Sequence, residues 1–189
     1  GNGYTISGYT KAPDAALFVY NNKGTIKNLT VNLYNLGAVV VNTNQVQEVN
    51  FAGLALENNG IIYNSGVAVY KNANNHVANP GIHLDFGDYV GQGITTKVAG
   101  FVLTNNGYIT NSRVGDVKFE KVASGLVFAE VFNITSQGAI SGFVHTNAGT
   151  IASSYFANGT LTNTSLGGTQ TTTSGFATYN SGTITGSYA

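Results

Sequence analysis

The chain has 189 residues, 42% of them hydrophobic, enough for one continuous core and short of two typical domains. Only 8% are charged, eight Lys plus Arg against eight Asp plus Glu, so there is no basic footprint for nucleic acid or an anionic membrane, and no run nears the roughly 20 apolar residues of a membrane-spanning helix. Cys is absent, which excludes a disulfide framework and thiolate metal sites.

From the N-terminus, "GNGYTISG" at 1–8 lacks the third glycine of a dinucleotide-binding fingerprint. The leading Gly, with no Met or signal peptide before it, reads as a processed chain or an excised segment. "AALFVY" at 15–20 alternates apolar positions as a half-buried strand does, runs into "NNKGTIKN" at 21–28, and is followed by a second short strand, "LTVNL". The octet returns as "NNGIIYN" at 58–64, "NNGYITN" at 105–111, "NAGTIAS" at 147–153 and "NSGTITG" at 180–186. Two degenerate copies are placed by the flanking apolar pattern: Asn44 takes the Gly position and Val46 the Ile position in one, Phe132 and Ile134 in the other. Successive copies lie 20, 16, 47, 25, 17 and 33 residues apart. With the long gaps read as two units each, the period is roughly 16 to 25 residues, which signals a solenoid. Residues 46–56 and 118–132 carry some helix-like spacing, but Gly53 and Gly125 interrupt it, and strand is the expectation for both.

The predicted fold is all-β: a single-stranded, right-handed parallel β-helix of roughly eight or nine coils, because units this small bury their apolar residues only by stacking. It spans 1–189 as one domain with an irregular insertion around 71–93. Ile26, Val46, Ile62, Ile109, Ile134, Ile151 and Ile184 are the predicted inward column, repeating about every 4.8 Å along the axis. Asn22, Asn58, Asn105, Asn147 and Asn180 are placed to form a ladder of side-chain amides. Gly24, Gly60, Gly107, Gly149 and Gly182, with Asn44 as substitute, are read as supplying a left-handed bend at that corner.

"LFVYNNKGTIKNLTV" at 17–31, preceded by "GNGYTISG", together with "SGFVHTNAGTIASSY" at 141–155 and "SGFATYNSGTITGSY" at 174–188, resembles the GLUG-type repeat of bacterial surface and secreted proteins. That pattern is approximately Gly-Leu-Phe-Gly, then Asn-x-Gly-x-Ile-x-Asn; the likeness covers about two thirds of the chain and decays at 66–98 and 115–145. The resemblance implies a parallel β-helix in an exported setting, as in filamentous-haemagglutinin-like adhesins, with motif residues that are structural rather than catalytic.

The longest irregular stretch, 71–93, holds His76, His83, Asp85 and Asp88. Period-two spacing puts His83 and Asp85 on one strand face with Asp88 beyond a turn, either a metal or acid/base cluster or a loop whose carboxylates satisfy local backbone donors. Loops on a stiff scaffold are where binding resides, so this is the first candidate contact surface. Glycoside cleavage needs two facing carboxylates, whereas Asp14, Glu48, Glu57, Asp85, Asp88, Asp116, Glu120 and Glu130 are scattered and Arg113 is the lone Arg. Neither a phosphate-binding loop nor a nucleophile elbow occurs. The expectation is therefore a non-catalytic extracellular stalk and binding scaffold at a bacterial surface, without cofactor or metal. Its partner is a receptor or glycan on a host or neighbouring cell, or copies of itself end to end. Because the chain opens and closes inside repeat-like segments, a fibre protomer stacking through open coil ends is the alternative, and a polysaccharide-binding or polysaccharide-cleaving β-helix a further one.

Overall fold

Strand segments of two to seven residues, set off by turns rich in Gly, Asn and Ser, are too short for helices of normal length, and among the described residues the chain forms only strands and turns. The computed structural model describes residues 14–33, 39–40, 48–71, 81–85, 94–119, 132–165 and 171–189. The expectations for Asn44, Val46, His76 and Asp88 lie outside these residues.

The first coil comprises β1 (Asp14–Ala16), β2 (Val19–Asn22), β3 (Thr25–Lys27), β4 (Thr30–Asn32) and β5 (Val39–Val40). The second comprises β6 (Glu48–Ala52), β7 (Ala55–Asn58), β8 (Ile61–Tyr63), β9 (Gly66–Lys71) and β10 (Gly81–Asp85). The third follows with β11 (Thr95–Ala99), β12 (Val102–Asn105), β13 (Tyr108–Thr110), β14 (Arg113–Phe119) and β15 (Phe132–Ser136). The fourth holds β16 (Ala139–Ser141), β17 (Val144–Asn147), β18 (Thr150–Ala152), β19 (Tyr155–Phe156) and β20 (Gly159–Asn163), and the fifth β21 (Thr173–Ser174), β22 (Ala177–Asn180) and β23 (Thr183–Thr185). Every strand pairs in parallel with the strands five places before and after it, giving five faces around one axis: a parallel β-helix.

The described residues form five coils, where eight or nine are expected. The separations of 36, 47, 42 and 33 residues between successive corner asparagines are single turns of the helix. The expected period of roughly 16 to 25 residues is too short because it halves the long gaps and takes a strand of another face for a further corner. Phe132 and Ile134 are the clearest case. Phe132 is a fully buried strand residue rather than a corner, and Ile134 stacks between Ile82 and Leu161 on the fifth face. "FNITS" alternates just as the octet does, and alternation alone does not say which face a strand joins. Gly81–Asp85, inside the stretch read as irregular, is likewise a regular strand of that face.

The remaining column forms as expected. Ile26, Ile62, Ile109, Ile151 and Ile184 stand in register on the third face. The middle three are wholly inaccessible, and all belong to or pack against one core. Beside them Phe101, Phe143 and Phe176 stack ring on ring at 4.8 Å, the inter-coil spacing and also a favourable offset-stacking distance.

The amide ladder also forms. Asn22 donates to Asn58, Asn58 to Asn105, Asn105 to Asn147 and Asn147 to Asn180, each Nδ2 to Oδ1 at 2.7 Å. The reason for the glycine two residues on differs from the expected left-handed bend, since none of Gly24, Gly60, Gly107, Gly149 and Gly182 has a positive φ. A Cβ on Gly60, Gly107, Gly149 or Gly182 would lie 2.1 Å from the carbonyl oxygen of the glycine one coil earlier. The position requires absence of a side chain, not conformational freedom. The left-handed bend falls four residues later, at Asn28, Asn64, Asn111 and Ser153 with φ between 47° and 53°, and at Gly186 with φ 55°; Asn is the non-glycine residue that tolerates it best. Next to that bend runs a second buried ladder: the amides of Leu29, Ser65, Ser112 and Ser154 donate to the hydroxyls of Ser65, Ser112, Ser154 and Ser187.

Two predictions separate these causes. Gly107→Ala, driven into the Gly60 carbonyl, is expected to cost more than about 3 kcal/mol, while Gly24→Ala, with nothing within 4 Å of its Cβ, should change urea-unfolding stability by less than about 0.5 kcal/mol. Asn105→Leu strips Asn58 of its short acceptor and Asn147 of its donor inside the core, a loss on the order of 3 kcal/mol by the same measurement.

Candidate functional site

On the second face Leu56 and Leu103 occupy neighbouring coils in register, flanked by Tyr20 before and His145 after. Both leucines are buried, yet they belong to a cluster separate from the helix core, in which they pack against Ala52 and Ala99 at the close of the first face. A residue on the outer surface is buried this way only where two faces meet in a re-entrant corner. The corner is an open groove of about 440 Å³.

Its floor changes character along the axis. At the second and third coils it is the Ala/Leu cluster. At the fourth and fifth, Ser141 replaces the alanine, with its hydroxyl 2.5 Å from that of Thr178, and His145 replaces the leucine. Lys97 and Glu48 form an ion pair at 2.5 Å between neighbouring strands of the first face; the hydrogen bond from Lys97, and then its charge, hold the Glu48 carboxyl below its usual range. Glu57 lines the opposite wall and accepts from Asn21 at 2.6 Å and Asn106 at 3.2 Å. Tyr20 and Tyr179 stand toward the two ends, 65% and 58% exposed.

His145 is the chemically distinctive member. It is 4% exposed. Its Nδ1 lies 3.0 Å from the Thr146 hydroxyl, its ring is tilted against that of Tyr179 at 5.4 Å, and its Nε2 has no hydrogen-bond partner. Burial, with the nearby charge of Lys97 second, pushes its pKa down to about 4, so the imidazole is neutral at physiological pH.

Of the four residues expected from sequence to form a contact surface, two are described. His83 and Asp85 are both on β10, where His83 pairs with Thr135 of β15 on the fifth face, away from the groove. Among the described residues no three His, Asp or Glu side chains gather closely enough to hold a metal ion. The groove was not foreseen because its residues are whole coils apart in sequence, and because Leu56 and Leu103 carry the alternation of ordinary core residues. The one visible signal was His145, standing where the preceding coils have leucine.

The unfolded chain takes up a proton on His145 near pH 6.5, the folded chain only near 4. Stability is therefore complete above pH 6.5 and falls as pH drops toward 4, by on the order of 2 kcal/mol. His145→Leu, which continues the Leu56–Leu103 row, should flatten that slope when urea midpoints are compared between about pH 7 and about pH 4. Set against known proteins, the chain matches no family model, no curated protein and no solved structure.

Proposed function

We infer that the chain is a non-catalytic stalk and binding scaffold of a bacterial surface adhesin or exoprotein. The observation that carries this reading is the pair of continuous uncharged ladders, amide and hydroxyl, that run the length of the described coils. The amide ladder has one direction, so further coils extend it without new chemistry, as an elongated stalk requires. Coils whose polarity is supplied by Asn, Ser and Thr keep their hydrogen bonds whatever the salt outside, because neutral groups are not subject to ionic screening. The likeness of the coil to the GLUG-type repeat favours the exported setting.

Binding rather than turnover is favoured by the state of the groove. Glu48 is engaged by Lys97, Glu57 by two asparagines, and His145 is held neutral beneath the surface. Both carboxylates are thus held by neighbouring side chains, whereas acid/base hydrolysis needs an acid and a base directed at the scissile bond. Antiserum raised against the folded domain should label intact cells of the organism that makes it; labelling that appears only after lysis would overturn the surface assignment.

A further inference from the structure

We propose that the groove binds a neutral, linear polysaccharide laid along the helix axis, with the buried imidazole of His145 hydrogen-bonded to one of its hydroxyls.

The starting point is the unpartnered Nε2. Leaving such an atom buried and unsatisfied costs about 1 to 3 kcal/mol, and leucine, already present at this position in two coils, fills the row without that cost. With Nδ1 bonded to the Thr146 hydroxyl, Nε2 is a donor if Nδ1 accepts and an acceptor if Nδ1 donates. A ligand hydroxyl satisfies either tautomer, because it can donate and accept. Rotation of the exposed Tyr179 ring beside it, on the fast timescale of surface side chains, would open the approach.

Charge narrows the ligand class. An anion gains no ionic partner in His145, finds Lys97 already paired with Glu48, and faces the Glu57 carboxylate. A metal cation finds no group of three His, Asp or Glu side chains among the described residues, and the Glu57 carboxylate is already engaged by Asn21 and Asn106. A peptide strand has nothing to pair with, since the walls are sheet faces whose backbone bonds run between coils rather than outward. A sugar chain fits both kinds of floor. The apolar Leu56–Leu103 stretch takes the C–H face of a pyranose, and Thr104, Thr146 and His145 meet its hydroxyls. Tyr20 on the first coil and Tyr179 on the fifth are separated by four coil spacings, about 19 Å, a span for several sugar rings, with an amphipathic aromatic platform at each end.

This assignment rests on the scaffold reading only in taking the site to bind without cleaving. The test is calorimetric titration of the folded protein at neutral pH with cellohexaose, mannohexaose and xylohexaose, and with oligogalacturonate as the charged counterpart. At least one neutral chain should bind with Kd between about 10 μM and about 1 mM, and His145→Leu and Tyr179→Ala should each weaken it by roughly tenfold or more. His145→Leu should melt no lower than the parent, and Tyr179, exposed on the surface, gives a variant that leaves the core untouched. The proposal is overturned if no neutral chain binds by about 10 mM, if oligogalacturonate binds more tightly, or if either substitution leaves binding unchanged. Release of reducing ends during incubation would overturn the non-catalytic reading and leave the groove assignment standing, whereas loss of surface labelling touches only the stalk.

Discussion

Everything in this molecule hangs from one buried amide. In the second coil the Oδ1 of Asn58 accepts from Asn22 and from the amide of Gly60, while its Nδ2 donates to Asn105 and to the Gly60 carbonyl. All four hydrogen-bonding positions of the side chain are filled, at a site with no solvent access. A buried amide that is only partly satisfied costs more than an apolar side chain would, so the ladder is stable only if every coil presents its asparagine at the same height. Register follows from that requirement. The Ile column, the phenylalanine stack and the serine ladder are all fixed relative to the amide, and each would slip to a different face if it moved by one residue.

The glycine two residues on is part of the same constraint. For amides to meet at 2.7 Å the coils must approach closely at this corner, and they do so with a glycine Cα against the neighbouring carbonyl. A side chain there would hold the coils apart and lengthen the amide bonds. Close approach at one corner and left-handed backbone at the next are separate demands, met by separate residues.

How much of this was legible in sequence follows from which interactions are local. Asn-x-Gly-x-Ile is a local word, and it gave the corner, the ladder and five members of the column. What glycine was for could not be read from one strand, because its contact is with the coil before. Ile134 shows the same limit, as its immediate neighbours match the octet and only the pairing with Ile82 and Leu161 reveals its face. The groove is least legible of all. Its floor is assembled from residues 36 to 47 positions apart in sequence, and its most informative atom, the His145 Nε2, is defined by a partner it does not have.

The coils are unequal in length, yet they match where it matters. From the residue before the Gly-Leu or Gly-Phe turn to the serine of the hydroxyl ladder, residues 52–65, 99–112, 141–154 and 174–187 are the same size. The differences among 36, 47, 42 and 33 residues are confined to the other half of each turn. The molecule thus has a spine and a margin. Chain added to or removed from the margin incurs only the slow entropic cost of a longer or shorter loop, while the spine keeps its pitch. Insertions and deletions on that flank can therefore leave both ladders untouched, yet they reach the groove, whose lining takes Asn50 and Lys97 from the margin and Leu56, Leu103 and His145 from the spine.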